Sequence, residues 1–371
     1  MISSRSRPTW IEVDLGAIER NIEALRSQAA PARVAAVLKA DAYGHGAVEV
    51  ARRIESKVDG ICVATLEEGA QLRGAGITAP ILAFGGLDPE LAAESARLGI
   101  TPTIAGEAAL AAFRRAGGTE IEIECDTGMH RLGLSAAEAA WLAATSLASG
   151  VAISGVYSHL SRAADGEEGR LATQEQIERF SACRDRLLAI PDGRVGKARF
   201  HLSASAGALF YPEARFDQVR PGISIYGYSP GEGELPLALQ PALSLHSRVV
   251  QVLPVGAGEG VSYGHRLRNP DAGMVATFPA GYADGVPRSL FEGGGEVLIG
   301  GERRPLAGVV TMDYSMAWVG SDPVAPGDEV VLIGSQGEES IDAAEWALKT
   351  GTISYEVLAR LGPRIPRRYA G

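Results

Sequence analysis

Val34-Ala35-Ala36-Val37-Leu38-Lys39-Ala40-Asp41-Ala42-Tyr43-Gly44-His45-Gly46 is the stretch from which the rest of the chain can be read. Val34–Leu38 is an unbroken apolar run, as expected of a strand buried on both faces. Lys39 stands where that run ends, with its stem in a desolvated place and its amine at a rim. Burial disfavours the ammonium form and makes the amine nucleophilic, so such a lysine can form a Schiff base with a carbonyl compound. Tyr43 adds a hydroxyl four residues on, and Gly44 and Gly46 allow close backbone approach. By residue type alone, a strand-terminal lysine more often snorkels to water.

Seven further runs follow: Gly60–Ala64, Pro80–Phe84, Thr101–Ala105, Glu120–Cys125, Ile153–His159, Arg199–Leu202 and Gln218–Tyr226. Between them lie Ala/Leu/Glu/Arg-rich segments such as Ala47–Ser56, Leu66–Ala75, Pro89–Leu98 and Gln174–Leu188, with apolar residues recurring at three and four. Strand and helix alternating eight times predict an α/β fold, a TIM-like (β/α)8 barrel, whose reactive groups lie at the C-terminal ends of its strands. A doubly wound open sheet would need a glycine-rich phosphate turn after the first strand, and none is present.

After about residue 235 the pattern changes. Pro236, Pro241 and Pro254 break helix, and the short runs Ala242–Val252, Met274–Phe278, Glu296–Ile299, Met316–Val319 and Glu329–Ile333 predict a mainly β domain. One late helix is expected at Ile341–Lys349, and strand-like Thr9–Val13 is expected to join the β domain. The expected division is therefore a barrel over 14–235 and a β domain from 1–13 and 236–371. The net charge of −10 argues against nucleic acid or anionic membrane as main partners. The chain shows no eighteen-residue apolar run and no apolar stretch at its start, so a cytoplasmic protein without a membrane span is expected. Cys62, Cys125 and Cys183 are odd in number and far apart, which reads as buried thiols rather than a disulfide framework or metal site.

Other candidates follow from barrel logic. The ends of strands seven and eight commonly build a phosphate site. There Ser205 offers a hydroxyl, Gly222 and Ile223 offer backbone N–H groups, and Arg220 is a permanent cation with a rigid donor fork. Taken alone, Arg220 is more often half of a surface ion pair. His159 ends strand six in Tyr157-Ser-His-Leu160. Tyr263, in the glycine-rich Gly260–Gly264, is by type a packing or turn residue.

Together these motifs resemble the alanine racemase family, in order from Trp10 to Tyr369. The resemblance implies pyridoxal phosphate carried on Lys39, with Tyr43 and Tyr355 (in Ile353-Ser-Tyr-Glu-Val-Leu358) at its phosphate. In Arg220-Pro-Gly-Ile-Ser-Ile-Tyr226 it implies an arginine facing the pyridine nitrogen. A guanidinium accepts no proton, so it would keep that nitrogen unprotonated, which weakens the ring as an electron sink and limits side reactions. Ser262-Tyr-Gly264 would supply Tyr263 as second acid/base from a partner subunit, with His159 bonded to it. Arg131, in Asp126-Thr-Gly-Met-His-Arg131, would reach cofactor and substrate carboxylate. Val310-Thr-Met-Asp313 would bring Met312 and Asp313 to the substrate, and Gly281-Tyr-Ala-Asp284 would bring Tyr282 to the entrance. The implied activity is L/D-alanine racemisation by a homodimer, supplying D-alanine for the cell wall. A broader racemase (for example for serine), a non-catalytic cofactor carrier and a decarboxylase are the other readings. Three departures stand out. Glu124 occupies the place of a carbamylated lysine and is expected to orient Arg131, Ala204 replaces an asparagine, and Val309 replaces an arginine at the entrance.

Overall fold

The computed structural model describes residues 7–191, 193–231, 234–269 and 271–371. Two compact units are present. Residues 17–42 and 47–240 make one; the N-terminal stretch up to Gly16, Tyr43–Gly46 and Pro241–Gly371 make the other.

We number strands from the N-terminus: β1 Thr9–Asp14, β2 Arg33–Val37, β3 Gly60–Val63, β4 Ile81–Gly86, β5 Ile100–Thr103, β6 Glu120–Glu124, β7 Ala152–Tyr157, β8 Arg199–His201 and β9 Gln218–Val219. Strands β2 to β9 are parallel neighbours in the order β8-β7-β6-β5-β4-β3-β2-β9. The Asp217 N–H donates to the Phe200 carbonyl (2.9 Å) and the Arg220 N–H to that of Ser203 (2.8 Å), which closes the barrel between β9 and β8. All eight expected strands form. The last is far shorter than the Gln218–Tyr226 run suggests, because Gly222 bends the chain and Ile223–Tyr226 coils into a 3₁₀ turn. The sixth barrel strand also ends earlier than expected, at Tyr157, so His159 lies beyond it.

In β6, Ile121 and Ile123 pack into the apolar layer under the helices, while the alternate residues Glu122 and Glu124 are also buried. The strand's period of two thus sends carboxylates to one face and isoleucines to the other. Helix Leu66–Gly74 opens with a capping box: Thr65 accepts from the Glu68 N–H, and Glu68 accepts back.

The second unit is mainly β. Its larger sheet pairs β1 antiparallel with Leu243–Arg248 and parallel with Arg367–Ala370. Glu329–Gln336 and Glu296–Ile299 extend this sheet. Gln251–Val255, Gly273–Phe278 and Ser315–Gly320 form a smaller one. Ala242–Val252 is thus two strands, not one. The late helix spans Ala343–Thr350, and a second, Ser354–Ala359, follows it.

Candidate active site

The barrel gathers Lys39, Glu124, Arg131, His159, Ser205 and Arg220. Lys39 begins a one-turn segment whose next four residues are left-handed, with φ of 54° at Ala40, Asp41 and Ala42 and 53° at Tyr43. Each such non-glycine residue costs about 1–2 kcal/mol. Surrounding bonds hold the turn in place: Glu68 accepts from the Ala40 N–H at 2.8 Å, Asp41 from the Ala47 N–H at 2.7 Å, and the Leu38 carbonyl from the Ala42 N–H at 2.9 Å. Strain maintained in this way belongs at functional sites. Burial and the neighbouring Arg131 and Arg220 cations push the Lys39 ammonium below its ordinary pKa.

Arg220 is buried, 2% exposed, and does not form a surface ion pair. Its Nη1 donates to His201 Nδ1 (2.7 Å) and to the His201 carbonyl (2.9 Å). Nη2 donates to the carbonyls of Ser158 (2.7 Å) and Leu202 (3.2 Å). Four of the five guanidinium donors are thereby used. The fifth, Nε–H, meets no acceptor among the described residues. The rings of Tyr157 and Phe84 lie 5.2 and 5.9 Å from the guanidinium carbon.

Ser205 Oγ accepts from the N–H groups of Gly222 (2.9 Å) and Ser224 (3.4 Å), which leaves its hydroxyl proton to donate. The Gly222 N–H is therefore committed to Ser205. The buried Ile223 N–H meets no acceptor among the described residues. Burial, with the cations Arg220, Arg131 and Lys39, pushes His159 down to about 3, so its imidazole is neutral.

Glu124 departs from expectation. No hydrogen bond joins it to Arg131, which is exposed; the Tyr157 hydroxyl donates to Glu124 Oε2 at 3.4 Å instead. Burial raises the Glu124 carboxyl above its usual range, against the lowering effect of Arg131 and Arg220. Glu122 and His201 were not singled out from the sequence, yet both are buried and bonded to each other. The alternating carboxylates of Glu120-Ile-Glu-Ile-Glu124 and a histidine closing a barrel strand were the available signals.

The second unit holds the other candidates. Tyr263 is 72% exposed on a turn in which Ser262, Gly264 and His265 have positive φ, and Ser262 Oγ donates to the Val309 carbonyl at 2.8 Å. Val309 is itself buried, so it anchors that turn from beneath and does not line an entrance. Tyr282 and Met312 sit together: the Tyr282 N–H donates to the Thr311 carbonyl (2.9 Å) and the Ala283 N–H to that of Met312 (3.0 Å). A Cβ on Gly281 would lie 2.4 Å from the Met312 carbonyl oxygen, so only glycine permits this approach. Asp313 accepts from Arg364 at 2.7 Å. The rings of Tyr43 and Tyr355 are 5.9 Å apart, and burial pushes the Tyr355 phenol up to about 12.

The three cysteines are free and buried. Folding brings Cys125 and Cys183 to 2.9 Å despite their separation in sequence. Among the described residues, no helix is long and apolar enough to cross a membrane.

Residues 13–230 match the alanine racemase N-terminal domain family and residues 242–369 the alanine racemase C-terminal domain family. The chain is 43% identical to an alanine racemase of Symbiobacterium thermophilum over 98% of both chains. It is 40% identical to one of Carboxydothermus hydrogenoformans over 98% of this chain and 100% of that one. Among solved structures, alanine racemase from Bacillus anthracis with bound L-Ala-P superposes with a TM-score of 0.90 at 35% identity, covering 98% of this chain and 95% of that one. Alanine racemase from E. faecalis gives 0.92 at 31%, covering 100% of both.

Proposed function

This chain belongs to the alanine racemase family, and from that premise we propose how its residues divide the reaction. It interconverts L- and D-alanine, and supplying D-alanine for the cell wall is the standard role of its family. The family depends on pyridoxal phosphate. The barrel residues fit that group: a desolvated lysine amine, a buried arginine with one uncommitted donor, and a hydroxyl with a backbone N–H at the β8 and β9 ends.

Lys39 would hold the cofactor, and Ser205, Ile223, Tyr43 and Tyr355 would bind its phosphate. Gly222 supports this by fixing Ser205. When bound, the cofactor withdraws electrons from the substrate's α-carbon and so makes its proton removable. Arg220, with its Nε–H uncommitted, would donate to the ring nitrogen; a guanidinium cannot accept a hydrogen bond from a protonated ring, so this arrangement would keep that nitrogen unprotonated. Lys39 Nζ, whose charged form burial disfavours, would take the α-proton from the D-enantiomer. The partner subunit's Tyr263 takes it from the L-enantiomer, and in each direction the other base returns a proton. Neutral His159 would hydrogen-bond that tyrosine. Arg131 and Met312 receive the substrate carboxylate, with Asp313 and Tyr282 shaping its approach. We infer a cytoplasmic protein and a homodimer, the dimer supported by the exposure of Tyr263, Met312 and Tyr282 on one unit.

The observation that carries this reading is Arg220, with four donors tied inside the barrel and one left over. The test is chemical. Borohydride reduction of the holoenzyme should fix the cofactor on the Lys39 peptide, and Lys39→Ala should abolish racemisation in both directions. A label mapped to any other lysine refutes the assignment.

A further inference from the structure

Glu122, His201 and Arg220 form a buried chain of bonds whose outer member plays no part in the reaction as described so far. Glu122 is 2% exposed and His201 0%. A bare carboxylate inside a barrel is costly unless it is paired. Glu122 Oε2 lies 2.9 Å from His201 Nε2, and Oε1 lies 3.4 Å from Arg199 Nη2. Strand pairing sets Glu122 opposite Gly155 on β7. A Cβ at Gly155 would lie 2.6 Å from the Glu122 carboxyl carbon, so the missing side chain makes the room this carboxylate occupies.

The protons can be placed by elimination. A guanidinium only donates, so His201 Nδ1, 2.7 Å from Arg220 Nη1, must accept. The neutral ring then carries its proton on Nε2 and donates it to Glu122. Burial lowers the imidazole pKa despite Glu122, which keeps the ring neutral. Burial opposes ionisation of Glu122, but His201, Arg199 and Arg220 outweigh it, so the carboxylate is anionic. His201 also stacks on Tyr157, with ring centroids 5.3 Å apart, which fixes its plane.

We propose that Glu122 is a positioning residue for Arg220, fixing the His201 tautomer and so the direction of the one guanidinium donor left for the cofactor's ring nitrogen. Without the carboxylate, His201 loses the acceptor that holds Nε2 protonated, and Arg220 loses a fixed acceptor at Nη1. This rests on the role given above to Arg220, and the experiment separates the two.

In wild-type holoenzyme with 15N-labelled histidine, the His201 signals, assigned by their loss in His201→Asn, should show Nε2 protonated and Nδ1 bare. A proton on Nδ1 overturns the proposal, and this measurement needs no variant at position 122. Glu122→Gln exchanges a charge-assisted bond for a neutral one. It should shift the His201 Nε2–H resonance, move the cofactor's visible absorption band in the same direction as Arg220→Lys but less far, and lower kcat by roughly five- to tenfold with little change in KM. If Arg220→Lys moves the band while Glu122→Gln leaves band, resonance and kcat unchanged, the Glu122 proposal fails and the role of Arg220 stands. If Arg220→Lys does not move the band, the role of Arg220 fails first.

Discussion

Glu122 and Glu124 lie two residues apart on one strand and are shifted in opposite directions. Charged partners hold Glu122 below the usual carboxylate range despite burial, whereas burial raises Glu124. Against its desolvation Glu124 has the fields of Arg131 and Arg220 and a single 3.4 Å bond from Tyr157, and burial prevails. A raised carboxyl pKa favours the folded state most below the unfolded value and loses that contribution as pH climbs through the folded one. As pH rises past the unfolded value, the buried Glu124 therefore costs stability. Glu124→Gln should leave the denaturation midpoint unchanged or slightly higher while lowering kcat/KM, because Arg131 loses its nearby anion. Denaturant unfolding alongside kinetics checks this, and a parallel loss of stability and activity would mark Glu124 as structural. His159 gives the opposite sign. The unfolded chain protonates it near 6.5 and the folded one only near about 3. Its contribution is complete above 6.5 and is lost as pH falls through about 3. Unfolding free energies between pH 7.5 and 4 should decline less steeply in His159→Gln than in wild type, and equal slopes would refute the burial of a neutral imidazole.

At the scale of elements, the left-handed turn after Lys39 depends on a neighbouring helix. Glu68 is the N3 residue of helix Leu66–Gly74; it accepts from Ala64 (2.7 Å) and Thr65 (3.4 Å) and also from Ala40 (2.8 Å). One side chain caps a helix and restrains the strained residue next to Lys39. Glu68→Ala should cost about 1–2 kcal/mol, from the cap and the stranded Ala40 N–H. It should also slow cofactor binding to the apoprotein, read by absorbance. Stability loss with normal cofactor binding would confine Glu68 to its capping role. The sequence revealed the eight strands because buried parallel strands leave continuous apolar runs. It did not reveal this turn, since Ala-Asp-Ala-Tyr carries no glycine to announce positive φ and tertiary bonds impose the conformation. Nor did it reveal Glu122–His201–Arg220, whose members are dispersed over 99 positions of the chain and meet only when the barrel closes.

For the whole molecule, the two bases of the proposed mechanism lie on different units of the chain. Lys39 and Arg220 belong to the barrel unit, Tyr263 and Met312 to the other. Tyr263, at 72% exposed, and Met312, at 52%, are large apolar-bodied side chains with most of their surface uncovered. Their turns are nonetheless rigidly built: Ser262 is tied to Val309, and the Tyr282 turn to Thr311 and Met312. Buried Asp284 secures the second arrangement, accepting from the Gly281 N–H at 2.9 Å and from Arg7 Nη1 at 2.5 Å. Exposed residues on firmly held loops suit a surface presented to another chain, because less ordering entropy is lost on association. If the partner's Tyr263 serves the Lys39 of the first chain, no single chain has a working site. Lys39→Ala and Tyr263→Phe homodimers should each be inactive. Mixed and allowed to exchange, half of the molecules become heterodimers by statistics, each with one intact site and one doubly defective site. About one quarter of wild-type activity should then return, provided association is dimeric and exchange is complete. Native mass spectrometry on differently labelled chains would verify the exchange. Heterodimers that form and stay inactive would place both bases in one chain and remove the requirement for a second copy.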